Sequence, residues 1–262
     1  MARKIVITSG KGGVGKTTIV SSLGMTLAKM GYKTLLVDMD FGLNNLDVLM
    51  GIENKIVYDI IDVIEGKCSP KQAIVQDFFL DHLFIFPSTH GFCKVRFGAN
   101  ELCQIIGSVE RYFDFILIDC PAGTDGGFRR AVDCGDEHIV VTTPHLSAVR
   151  DADKILSVLK TRRLPYLIIN RARGDLMIES KMLSVKNICD SLNAELLGVI
   201  PEDDCVSYQL IEGYGFDENS SMQKSMNMIA HNLTSQDKKI FDCTKKYKGI
   251  FGTIKRSLKS KL

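Results

Sequence analysis

A short apolar run, Ile5-Val6-Ile7-Thr8, leads directly into Gly10-Lys11-Gly12-Gly13-Val14-Gly15-Lys16-Thr17-Thr18. This string matches G-x-x-x-x-G-K-[ST], and it constrains the fold more than any other feature, because such a loop works between a strand and a helix. Each residue type has a physical reason. Gly10, Gly12, Gly13 and Gly15 let backbone N–H groups turn inward with no Cβ in the way. With Lys11, Val14 and Thr18 they form a nearly continuous cradle of N–H donors for phosphate. Lys16 can place a cation on the β- and γ-phosphates, and the Thr17 hydroxyl can ligate Mg²⁺. A helix beginning here adds its positive dipole end. The pattern predicts that helix over Lys16 to Met30, with Gly31 as its stop.

Further apolar runs recur along the chain: Thr34–Val37, Leu83–Phe86, Phe115–Ile118, Ile139–Thr142, Tyr166–Ile169 and Leu196–Ile200. Most are continuous rather than alternating, as expected of strands buried on both faces. The intervals between them leave room for crossover helices. The expected fold is therefore α/β, a doubly wound, mostly parallel sheet with helices on both faces. In such sheets ligands bind beyond the carboxyl ends of the strands. Two of these ends carry acids. Asp38 and Asp40 follow one run and Asp119 follows another. Asp38 and Asp40 are together candidates to hold Mg²⁺ and to orient an attacking water, and Asp119 and Thr17 to hold the metal, since phosphoryl transfer requires mainly positioning and charge neutralisation. The stretch Gly213 to Asp237 is polar and yields no assignment.

The net charge of +2 conceals an asymmetry. The last 18 residues, Lys245 to Leu262, carry seven of the 33 basic residues and no acid, leaving 26 basic and 31 acidic residues on the rest. The chain thus divides into a body, 1–244, and a basic tail, 245–262. At 100° per residue Tyr247, Ile250, Phe251, Ile254, Leu258 and Leu262 fall within about 120° of one another. Lys248, Lys255, Arg256 and Lys259 lie on or beside the opposite face. Such a helix is suited to lie in the interface of an anionic membrane. A core helix and a nucleic-acid-binding tail are the competing readings. The N-terminus lacks the h-region of a signal peptide, and no apolar run reaches the length of a transmembrane helix, so a cytoplasmic location is expected. None of the eight cysteines forms a C-x-x-C pair. They are expected to be reduced and mostly buried.

The string K-G-G-V-G-K-T-T resembles the deviant Walker A (MinD/ParA) family of P-loop ATPases. Similarity to the MinD branch extends through Asp40-Phe41-Gly42-Leu43-Asn44-Asn45-Leu46-Asp47, Val63-Ile64-Glu65-Gly66, Thr142-Thr143-Pro144 and Gly198-Val199-Ile200-Pro201-Glu202-Asp203. The resemblance implies ATP and Mg²⁺ as cofactors and ATP hydrolysis as the activity. It implies that Lys11 crosses an ATP-dependent homodimer to the partner's phosphates. Lys16 acts as the ordinary loop lysine, Asp40 as the water-positioning acid and Asn45 as part of the activating switch. Asn170 and Asp203 match positions near the adenine. The implied role is placement of the division septum, from the inner face of the cell membrane when ATP is bound. A division-inhibitor protein and a hydrolysis-activating protein are the implied partners. One departure is His145, where MinD proteins usually carry Glu. A flagellar-number or ParA-like partition ATPase and a non-hydrolysing nucleotide-binding scaffold are the alternatives. The net acidic body argues against DNA.

Overall fold

A computed structural model describes residues 1–41, 45–88, 97–159, 164–202, 218–249 and 252–253. Its centre is an eight-stranded sheet in the order β3-β4-β2-β5-β1-β6-β7-β8. The strands are β1 (Arg3–Thr8), β2 (Thr34–Asp38), β3 (Val75–Gln76), β4 (Leu83–Phe86), β5 (Phe115–Asp119), β6 (Glu137–Thr142), β7 (Tyr166–Ala172) and β8 (Glu195–Pro201). All neighbours pair in parallel except β3, which runs antiparallel to β4 at the edge. Every run read from the sequence is a strand. The two-residue β3 was not foreseen, because so short a segment carries no periodicity.

Ten helices cover the two faces among the described residues: α1 (Lys16–Lys29), α2 (Leu46–Met50), α3 (Ile60–Ile64), α4 (Pro70–Ala73), α5 (Ala99–Val109), α6 (Gly126–Asp133), α7 (Leu146–Leu159), α8 (Gly174–Ile178), α9 (Val185–Leu192) and α10 (Ser221–Thr234). Alternate strand residues feed two cores. Val6, Val37, Ile116, Ile118, Val140 and Ile169 join one, with α5, α6, α7 and α9. Ile5, Ile7, Leu36, Leu117, Ile139 and Ile168 join the other, with α1 and α10. Burial on both faces explains why these strands read as unbroken apolar runs.

The first helix ends as expected, with Gly31 at φ 91° after the C-cap Met30. Helix α10 lies inside the unassigned polar stretch. It starts at a Ser220 cap, whose hydroxyl accepts from Gln223 N. It buries Met222, Met226, Ile229 and Leu233 along one stripe.

Two expectations need correction. Cys103 on α5 and Cys134, the C-cap of α6, form a disulfide, with Cα atoms 4.7 Å apart. The packing of α5 on α6 joins residues 31 apart in sequence, which spacing alone does not reveal. Cys68, Cys120, Cys189 and Cys243 are free, and Cys93 and Cys205 lie outside the described residues. Tyr247, assigned above to the tail's apolar face, is only 4% exposed. It sits in a 3-10 turn, Lys245–Tyr247, packed against α8, and so does not face outward. The other residues assigned to the membrane face, Ile250, Phe251, Ile254, Lys255, Leu258 and Lys259, lie outside the described residues.

Candidate active site

Three adjacent central strands, β2, β5 and β1, bring the site together at their carboxyl ends. Register sets Asp38 beside Asp119 and Asp119 beside Ile7, just before the phosphate loop. Backbone bonds lock the junction: Met39 N donates to Asp119 O (3.0 Å), Cys120 N to Ile7 O (3.1 Å) and Gly123 N to Ser9 O (3.1 Å). The loop itself is tightly braced. At Gly10 a Cβ would strike the backbone oxygen of Asp151 on α7. At Gly15, φ is 93° and a Cβ would lie 2.5 Å from Asn170 Nδ2. Only glycine meets both demands.

The loop and its surroundings enclose a cleft of about 560 Å³. Gly12, Gly13, Gly15, Lys16, Thr17 and Thr18 line one wall, and Asp40, Asn45, Val48, Leu49, Pro121, Ala122 and Arg171 line the rest. Lys16 is buried, and its charge lowers the pKa of both Asp40 and Asp119. Desolvation outweighs it at each carboxyl. Asp119 is 1% exposed, and burial, helped by the charge of Asp38, pushes it up to about 7 while a hydrogen bond from Thr17 opposes the rise. Burial likewise raises Asp38 to about 6, despite the bond it accepts from Asp40 N (2.9 Å). Asp40 is half-buried and also raised, chiefly by desolvation.

Thr17, Asp38 and Asp119 lie together at the ends of α1, β2 and β5. Asp119 Oδ1 is buried and has no hydrogen-bond partner among the described residues. An orphaned buried oxygen within a cluster of hard donors suits a divalent cation such as Mg²⁺.

Lys11 is placed differently. It is half-exposed, it does not line the cleft, and its Nζ donates to Ser147 Oγ (3.1 Å) at the start of α7. Exposed His145 stands beside that contact, and its carbonyl accepts from Val149 N (3.0 Å). Asn170, expected near a base edge, is instead turned beneath the loop: Nδ2 donates to Val14 O (2.7 Å), and Oδ1 accepts from Arg171 N (2.9 Å). Its geometry is that of a brace. Asp203 lies outside the described residues. Arg171 was missed as a cleft residue. It occupies the left-handed region at φ 55°, beside a register irregularity between β7 and β8, and projects to the exposed side. The Asn-Arg pair after an apolar run hinted at a special strand end but not at this turn.

Residues 5–214 match the CobQ/CobB/MinD/ParA nucleotide binding domain. A septum site-determining protein MinD from Synechocystis is 39% identical over 267 residues, covering 98% of this chain and 99% of that protein. Its counterpart from Bacillus subtilis is 44% identical over 208 residues, 78% of each chain. Among solved structures, a MinC:MinD cell division protein complex from Aquifex aeolicus superposes with a TM-score of 0.83 at 37% identity, covering 89% of this chain and 96% of that one. A septum site-determining MinD complexed with Mg-ADP from Pyrococcus horikoshii gives 0.81 at 31% identity, covering 90% and 97%. The phosphate loop, the paired strand-end acids and this breadth of similarity lead to one conclusion: the chain belongs to the CobQ/CobB/MinD/ParA nucleotide-binding family, and within it to the MinD septum site-determining ATPases.

Proposed function

We propose that this ATPase takes ATP with Mg²⁺, dimerises on it, binds an anionic membrane through residues 245–262 and helps position the division septum. In this reading it is cytoplasmic, and peripheral on the inner face of the cell membrane only while ATP is bound. A division-inhibitor protein is one partner; the Aquifex relative's complex with MinC supports that class. A hydrolysis-activating protein is the other.

The loop amides and Lys16 hold the phosphates, and Thr17, Asp38 and Asp119 would hold the cation. When bound there, Mg²⁺ would supply charge neutralisation for phosphoryl transfer. Asp40, on the cleft wall within the field of Lys16, orients water for in-line attack. Its raised pKa also lets it hold a proton more readily than an ordinary carboxylate. Asn45, exposed at the start of α2, lies where a partner's arrival can be sensed.

The observation that carries dimerisation is Lys11. Its ammonium faces out of its own cleft, toward Ser147, so it is free to reach phosphate across an interface. Light scattering with ATP and Mg²⁺ tests this. Wild type should dimerise, and Lys11→Ala should stay monomeric while still binding nucleotide. Lys16→Ala should lose nucleotide binding itself. An ATP-driven dimer in the Lys11→Ala protein would refute the crossing role.

A further inference from the structure

The disulfide stands at one end of a continuous set of contacts that reaches the active site. Cys134 caps α6, the helix that follows the Asp119–Gly123 loop. One turn earlier on α6, the guanidinium of Arg130 lies over the ring of Phe97, 5.2 Å from its centroid. The same guanidinium passes within 3.7 Å of a Cβ built on Gly126 and 3.9 Å of one built on Gly127, at the start of α6, and its Nε is buried without a hydrogen-bond partner among the described residues. Phe97 in turn meets Phe41 edge to face, with centroids 5.2 Å apart. Phe41 immediately follows Asp40. Cys103 anchors the far side on α5 and is half-buried, so a small thiol or disulfide can reach the bond.

We propose that Cys103 and Cys134 are a redox-controlled link that sets the hydrolysis rate through the Arg130–Phe97–Phe41 stack. With the bond formed, α6 is fixed on α5, Arg130 stays over Phe97, and Phe41 holds the Asp40 segment against the cleft. With the bond reduced, α6 can shift, and the orientation of Asp40 is less restricted. Nucleotide affinity is spared, because the phosphates are held by loop amides and Lys16. The oxidant is a small disulfide such as oxidised glutathione. Cys103 thiolate attacks it and releases one glutathione thiolate; Cys134 thiolate then attacks the mixed disulfide and releases the second. Two electrons pass from the cysteine pair to the glutathione disulfide, and the two thiol protons go to solvent or to the released thiolates.

The inference rests on Asp40 as the water-positioning acid. That assignment fails separately, if Asp40→Ala hydrolyses ATP at the wild-type rate. The test uses the full chain equilibrated in glutathione buffers of graded poise, alkylated and mapped by mass spectrometry, with kcat and ATP affinity measured on the same samples. The bond should form in oxidised glutathione. Its reduction should lower kcat by about three- to tenfold at unchanged affinity, the range expected of coupling through packed side chains. Cys103→Ser should show the reduced rate in every buffer. Arg130→Ala should form the bond yet lose the rate response. Free thiols at both positions in oxidised glutathione, or equal kcat in the two redox states, would overturn the proposal. A full response in Arg130→Ala would overturn the stack as its route.

Discussion

Replacing Asn170 with leucine separates a brace from a base reader. The side chain is 8% exposed and makes two hydrogen bonds, Nδ2 to Val14 O (2.7 Å) and Oδ1 from Arg171 N (2.9 Å). Leucine fills nearly the same volume and satisfies neither group. Each buried backbone group left unpaired costs about 1–3 kcal/mol, so the pair should cost about 2–5 kcal/mol. For a protein of this size that lowers Tm by roughly 5–15 °C. The loop would also lose its tie to β7, loosening the phosphate cradle beneath any nucleotide. Differential scanning fluorimetry, together with binding of fluorescent ATP and GTP analogues, checks both effects. The expected outcome is a clear fall in Tm and a parallel weakening toward both nucleotides. An unchanged Tm with loss of ATP binding alone would show that Asn170 reads the base and that the bracing geometry is misleading.

Asp40→Ala should bind ATP and dimerise like wild type but hydrolyse about 100-fold more slowly or worse, the usual range for a positioned acid or base; phosphate release measures it. A chain ending at Lys248 keeps buried Tyr247 and should stay folded. The full chain should sediment with anionic vesicles far better in ATP than in ADP, by about 100-fold if two tails act together, and the shortened chain in neither; equal sedimentation would refute the anchor. Asp119→Asn concerns pH. Because the folded pKa, about 7, lies above the ordinary carboxylate value, the nucleotide-free protein loses stability as pH rises from about 4 through 7. The substitution should therefore raise the unfolding free energy at pH 8 by an amount on the order of a few kcal/mol, seen as a higher Tm, and abolish Mg²⁺-dependent stabilisation; calorimetry across pH reads both.

The phosphate loop was legible because a nine-residue string specifies backbone conformation, cation and helix start together. Central strands were legible because burial on both faces leaves no polar alternation to blur them. Asp38, Asp40 and Asp119 could be placed from the general rule for strand ends in doubly wound sheets. What escaped depends on distant pairings. Asn170 turns toward Val14 only because β7 passes beneath the loop. Cys103 meets Cys134 only because two helices share a face. Tyr247 looks lipid-facing on a helical wheel, but a 3-10 turn folds it onto α8. Helix α10 was not legible because its apolar stripe, Met222, Met226, Ile229 and Leu233, is set among polar residues, and only the Ser220 cap marks its start.

The position of β1 bears on how the chain leaves the ribosome. Both neighbours of β1, namely β5 and β6, lie more than a hundred residues downstream, and β2 likewise waits for β4 and β5. At ordinary synthesis rates the first apolar strand remains without a pairing partner for about 5–20 s. No nascent chain shorter than Asp119 can hold nucleotide as the finished protein does, although its phosphate loop has long been made. The phosphate loop is thus synthesised well before it can function, and through that interval the Ile5-Val6-Ile7 strand is an unpaired apolar segment.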